Sequence, residues 1–384
     1  MNGTQIALLA VGIVFTVDAV LLLGLITLKA VHRQRMESHD RRRSAFLGVL
    51  SRRVSFPLHT DYIDPKVVND GAFLDAVIDL RNTMAGPEIE TLAGIIDRYG
   101  LVKQQAARLR SRFPLGRRLR RLRAAVVLAE MGDESSAPVL IEFLDDREPE
   151  VRIQCARGLG RMHHTPAIDA IIERFGQESP WVRSRFADTL VGFGAGAVWS
   201  LLAYVRVNHD HDEGNEAVIE AIRILGIIGE RDVGPALIDL LHRFRDPELK
   251  IAAIDALGYI GGPMAVTPLI GFLDADDWRI RNKAAHSLGE IGDPLANDAL
   301  RRGLEDANWW VRRSSAAALA GLSEGLEVLH QALHSGDLFA RDAAAEALAD
   351  CGELGRARER EEQGQATDAD RQLLGFMTEG ALVP

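Results

Sequence analysis

Cysteine is nearly absent: Cys155 and Cys351 are the only two in 384 residues. That excludes a disulfide framework and a zinc module built on cysteine. Aromatic residues are scarce at 6%, while Ala, Leu, Gly and Arg abound, a composition that favours helices. A basic excess is lacking as well. The 45 basic and 55 acidic residues give a net charge of −10, so the chain as a whole is not composed like a nucleic-acid binder. No glycine-rich phosphate cradle follows a strand, no GxSxG elbow is present, and no pairing of base and nucleophile stands out. The expectation is a non-enzymatic protein with no cofactor, no metal and no small-molecule substrate. With 47% hydrophobic and 26% charged residues the chain should fold. Its length suits two or three domains or one elongated array.

Long apolar runs are missing with one exception, Ile6 to Leu28, which is 23 residues with the single charge Asp18. As a helix it would reach roughly 34 Å, against a bilayer core of about 30 Å. Positive charge follows the run rather than preceding it, at Lys29, Arg33, Arg35, Arg41, Arg42, Arg43, Arg52 and Arg53. The positive-inside rule then places the N-terminus outside and the rest in the cytoplasm, as a single-pass inner-membrane protein. Asp18 reads either as a polar contact to a partner's transmembrane helix or as a protonated, tolerated carboxyl.

Charge is divided unevenly. Up to Arg123 there are 20 basic and 11 acidic residues, and after it 25 and 44. Arg41, Arg42 and Arg43 belong to a basic stretch suited to anionic inner-leaflet lipid. A second cluster, Arg98 to Arg123, holds ten basic residues and no acidic one, among them Arg108, Arg110, Arg112, Arg117 and Arg118. It suits phosphates, lipid head groups or an acidic partner, or is simply a solvated face. Nucleic acid is the weaker reading of 98–123, because only Tyr99 and Phe113 are there to stack on bases.

From about Leu119 the chain repeats itself. The copies are VRIQCARGLG (151–160), VRSRFADTLV (182–191), LKIAAIDALG (249–258), IRNKAAHSLG (280–289) and VRRSSAAALA (311–320), with looser ones at 120–129, 217–226 and 340–349. Their marker leucines, Leu128, Leu159, Leu190, Leu225, Leu257, Leu288, Leu319 and Leu348, are spaced 31, 31, 35, 32, 31, 31 and 29 apart. One fixed period over eight copies predicts a repeat architecture. Val151, Cys155 and Leu159 form one helical stripe, and a glycine four residues past most markers suits a left-handed helix stop. A second apolar helix follows, as in APVLIEFL (137–144) and GPALIDLL (234–241), and an aspartate turn leads to the next copy. The recurring basic residue, such as Arg121, Arg152 or Arg281, reads as one member of a structural ladder with an Asp four to six residues earlier.

These Val-Arg, Ala-Ala, Leu-Gly and Gly-Asp positions resemble HEAT repeats, of the short type found in phycobilin lyases. The resemblance covers about 117–352. It implies an all-α fold, here an N-terminal transmembrane helix followed by an α-solenoid of HEAT-like helical hairpins. The expected organisation is an anchor at 1–30, a basic juxtamembrane segment at 31–59, a divergent helical cap at 60–116, the solenoid at 117–352 and a tail at 353–384. In that tail 357–365 reads as polar and mobile, and 366–380 as a short helix capped by Asp368.

Tryptophans recur just before the apolar-basic pair, at Trp181, Trp278, Trp309 and Trp310. They read as anchors for a partner or as plugs between stacked repeats. The segment NHDHDEGN (208–215) has metal-binding residue types without a fixed geometry, and reads as a solvated loop. Cys155 sits on a small core position. The expected function is a tethered scaffold or accessory subunit for a protein partner, itself a membrane protein. The WWVR pattern (309–312) and the anchor also resemble membrane-anchored bacterial HEAT-repeat proteins, which implies a membrane glycosyltransferase of surface-polysaccharide synthesis as neighbour. The alternatives are a lyase or isomerase acting on a bilin–protein adduct, and nucleic-acid binding. Forty arginines against five lysines point to a GC-rich bacterial source.

Overall fold

The computed structural model describes residues 3–55, 64–111, 117–210 and 215–378, with side chains of the first helix from Val20 onward. Among the described residues the chain is all-α, with no strand, and it divides into two compact units. The first, Met1–Met162, holds α1 (Gly3–Ser55), α2 (Gly71–Thr83), α3 (Pro87–Arg98), α4 (Leu101–Arg110), α5 (Arg117–Met131), α6 (Ala137–Glu142) and α7 (Pro149–Arg161). The second, His163–Pro384, begins with α8 (Ile168–Gln177), α9 (Pro180–Gly192), α10 (Ala195–Asn208), α11 (Glu216–Ile228), α12 (Gly234–Arg243), α13 (Pro247–Ile260) and α14 (Val266–Gly271). It continues with α15 (Trp278–Ile291), α16 (Asn297–Gly303), α17 (Trp309–Gly321), α18 (Gly325–Ala332), α19 (Leu338–Asp350), α20 (Glu353–Glu362) and α21 (Asp368–Thr378).

The expected membrane span and the localisation built on it are overturned. Among the described residues no helix is long and apolar enough to cross a membrane. Within the described side chains the apolar run is only Val20 to Leu28, about 13 Å of helix, before Lys29 opens a charged stretch. Further along, α1 is a packed helix of the first unit. Leu50 is fully buried, Phe46 meets Phe73 of α2 edge-on at 5.5 Å, and Arg43 makes two 2.6 Å hydrogen bonds to Asp79. The segment expected to lie as free basic charge therefore forms part of a core. The side chain of Asp18 lies outside the described residues.

The repeats follow from helix geometry. All eight marker leucines are fully buried. Each stands on the first helix of its copy, where burial of a leucine contributes about 1.5–3 kcal/mol. Gly229 and Gly292 close α11 and α15 at φ +70° and +74°, and their N–H groups donate to Leu225 O and Leu288 O at 3.1 Å. The glycine directly after the marker has another task. A Cβ on Gly226 would lie 2.8 Å from the Ala256 backbone, so α11 and α13 touch through bare main chain.

The arginine ladder is built differently from the expectation. Arg281 makes a bidentate pair with Asp306, Nε to Oδ2 at 2.7 Å and Nη2 to Oδ1 at 2.9 Å, 25 residues ahead in the next turn. Its own turn supplies backbone carbonyls instead, Ala275 O at 2.8 Å and Asp276 O at 3.0 Å. Arg121 pairs with Asp146 in the same way in the first unit. Burial would raise the Asp306 carboxyl, but the Arg281 guanidinium and the Asn308 N–H outweigh it and hold it below the usual range. Such rungs do not recur at every step, because Gln177, Asn208 and Ala275 stand 25 residues after Arg152, Arg183 and Lys250.

The tail expected to be mobile is helical. Arg360 of α20 donates to Asp370 of α21 at 3.0 Å and 2.5 Å and to Glu353 at 2.5 Å. Thr367, rather than Asp368, caps α21. Its hydroxyl accepts from Asp370 N at 3.2 Å, while Asp370 accepts from Thr367 N at 2.8 Å, a reciprocal capping box. The Arg360 hydrogen bond, opposed by burial and aided by Thr367, holds the Asp370 carboxyl far below its ordinary range. A carboxyl depressed on folding stabilises fully above its unfolded pKa of about 4, and that stability is lost as pH falls through the folded value. Asp370→Asn is therefore expected to lower Tm at neutral pH, with the gap from the parent closing as pH drops below about 4. A gap that stays constant from neutral to acid pH would contradict the role of this network.

Candidate functional site

The helix starts of the second unit carry its most exposed aromatic residues. Trp309 and Trp310 open α17 at 45% and 53% exposure, and Trp278 opens α15 at 39%. Leu338 and Phe339 open α19, both at 64%. Each start is fixed by a side-chain cap: Asp277 accepts from Arg279 N at 2.9 Å, Asn308 from Trp310 N at 2.9 Å, and Asp337 from Phe339 N at 2.8 Å. Because α15, α17 and α19 pack side by side, these starts fall on one edge. The two indoles of α17 meet edge to face with centroids 4.6 Å apart. Arg313 lies over Trp309 at 5.4 Å and Arg312 over Phe339 at 4.8 Å. The edge is thus an apolar surface with rigid backbone and braced rings, suited to burying a partner's apolar side chains.

Trp181 stands apart from this edge. It is 55% exposed at the start of α9, but the next two first helices open with Glu216-Ala217 and Pro247-Glu248. Leu338 and Phe339 escape a reading keyed to tryptophan, although their position in the repeat marks them. Trp199, on α10, is also exposed and lies on a second helix, outside the row.

The basic residues singled out in the sequence are largely paired inside the first unit. Arg42 reaches Asp70 at 2.5 Å, and Arg43 holds Asp79. Arg110 donates to Glu142 at 3.1 Å, and Arg118 reaches Glu150 at 2.5 Å and Glu148 at 3.5 Å. Arg108 is half-buried and donates to Gln105 at 3.1 Å, and burial together with the nearby charge of Arg123 lowers its pKa. Arg41 is exposed. Arg112 and the side chain of Arg117 lie outside the described residues. The acidic partners stand about one repeat downstream, so stacking neutralises much of what the local sequence presents as a basic surface.

Of the 208–215 segment, His209 lies 2.9 Å from Asp210 and edge-on to Phe244, while 211–214 lie outside the described residues. Among the described residues no group of three or more His, Cys, Asp or Glu is placed to hold a metal ion. Cys155 is fully buried, and burial pushes its thiol up to about 12, which leaves no thiolate for chemistry.

Residues 117–191 and 234–320 match the family model for HEAT repeats. No curated protein matches the chain. Among solved structures it is similar to human deoxyhypusine hydroxylase in complex with glycerol, at 21% identity and TM-score 0.29, over 68% of this chain and 98% of that one. It is similar to an engineered protein at 20% identity and TM-score 0.37, over 86% and 98%. It is also similar to the karyopherin Kap121p bound to the extreme C-terminus of the protein phosphatase Cdc14p. That match has 13% identity and TM-score 0.42, over 83% of this chain and 47% of that one. The repeats read from the marker leucines are HEAT repeats over the two matched stretches, 117–191 and 234–320.

Proposed function

We propose that the chain is a non-enzymatic binding scaffold whose partner is a protein docking on the aromatic edge of the second unit. The observation that carries this reading is the cluster of exposed Trp278, Trp309, Trp310, Leu338 and Phe339 on three adjacent helix starts. Large aromatic side chains left in water by a folded unit mark interaction sites, and tryptophan is the residue most enriched among interface hot spots. HEAT repeats support the same reading, since stacked hairpins present an extended surface without a catalytic pocket of their own. The buried, protonated Cys155 adds no nucleophile.

The test starts from the tagged full-length chain. A protein recovered with it in stoichiometric amount is purified and titrated against the parent and against the Trp309→Ala, Trp310→Ala double variant. Arg185→Ala, an exposed change on α9 where Arg185 meets only Asp188 at 3.6 Å, serves as control. Binding lost in the double variant and kept in the control supports the reading, and equal binding by all three contradicts it.

A further inference from the structure

A cleft of about 720 Å³ opens along α1 in the first unit, away from the aromatic edge. Arg35, His39 and Arg42 line it from one stripe of α1, Asp75 faces them from α2, and Arg123 comes from α5. Countercharge in this cleft falls short. Arg42 spends Nη1 on Asp70 at 2.5 Å and Nε on Ser38 O at 3.4 Å. His39 Nε2 takes Asp75 Oδ2 at 3.1 Å, and its Nδ1 lies 3.8 Å from Asp40. Arg123 reaches the same Asp75 oxygen at 3.7 Å, beyond hydrogen-bond length. Arg35 has no ion pair among the described residues. A single carboxylate, Asp75, is thus shared by an imidazole and a guanidinium, while a second guanidinium stands exposed beside them.

The position of Arg123 sharpens the imbalance. Its guanidinium lies over Gly71, the first residue of α2, where a Cβ would come within 2.6 Å of Nη2. Glycine keeps that space open for the arginine. A guanidinium at the positive end of a helix is disfavoured unless an anion joins it. The surplus consists of fork-shaped N–H donors, which match the oxygens of a phosphoryl group better than a point charge would.

We propose that this cleft binds a phosphoryl dianion between Arg35 and Arg123. Free phosphate and a phosphorylated small molecule present the same chemistry, and two probes separate them. Calorimetric titration of the full-length chain at physiological salt uses inorganic phosphate in one arm and O-phosphoserine in the other. Saturable binding is expected, weakened about tenfold or more in Arg35→Gln and in Arg123→Gln, the loss typical of a charge-assisted hydrogen bond. Arg35 is exposed and unpaired, so Arg35→Gln should fold as the parent does, and an unchanged thermal transition checks this. Tighter binding of O-phosphoserine assigns the cleft to a phosphorylated molecule, and equal binding assigns it to phosphate itself. Absence of saturation with both probes, or parent-like affinity in either variant, overturns the proposal.

Discussion

Replacing Trp309 and Trp310 together by alanine is expected to weaken partner binding by a hundredfold or more while moving the thermal transition of the second unit by less than about 3 °C. Both rings are half in water in the folded chain, so truncation removes little buried area from the unit itself. Neither ring caps its helix. Asn308 does that, and the double variant leaves its side chain in place. In a complex the same rings would be fully desolvated, where a hot-spot tryptophan costs about 2 kcal/mol or more on truncation. Two of them exceed the 2.7 kcal/mol or so that a hundredfold change in affinity represents. If the pair instead plugged a gap between repeats, the cost would fall on folding, and the transition would drop by several degrees. Calorimetry and a binding titration on the same samples separate the two outcomes.

The largest effect on stability is expected at a residue with no side chain. Gly226 lets α11 approach α13 until a Cβ would lie 2.8 Å from Ala256 Cα and 2.9 Å from its Cβ. The atom in the way is backbone, which cannot rotate aside. Gly226→Val should therefore push the helices apart and cost about 3 kcal/mol, at the upper end for overpacking. In a unit of this size that corresponds to roughly 6–12 °C in Tm. Gly94→Ala in α3 is the control. Nothing lies within 4 Å of a Cβ there, so the better helix former should stabilise by up to about 1 kcal/mol. Differential scanning calorimetry reads both. Equal Tm values for Gly226→Val and the parent would refute close main-chain packing as the reason for that glycine.

The sequence makes some of this plain and hides the rest for physical reasons. The marker leucines are legible because the stripe of Leu225, Leu257 and Leu288 recurs at one period and each must be buried. The two duties of glycine are only half legible. Gly229 announces a helix stop by its place after the stripe, whereas the close approach at Gly226 depends on a neighbouring helix 30 residues on. The Arg281–Asp306 pair is missed for the same reason, since a search among nearby residues finds Asp276 and stops. The Arg98–Arg123 cluster looks free in sequence because Glu142, Asp146 and Glu150 arrive opposite it only after stacking. A polar composition hides the last hairpin, although Glu353, Arg360 and Asp370 neutralise one another within it. Composition also overstates the N-terminal run, whose helix continues as charged and packed structure on α2. On the candidate site, Trp278, Trp309 and Trp310 are visible by residue type, while Leu338 and Phe339 become visible only when α19 is set beside α17.

The most direct measurement places a photo-crosslinking side chain at position 310, at 339 and, for comparison, at 185 in the full-length chain. Irradiation with the purified partner is expected to give a covalent adduct from 310 and 339 and none from 185. An adduct from 185 with none from 310 or 339 would contradict docking on the aromatic edge.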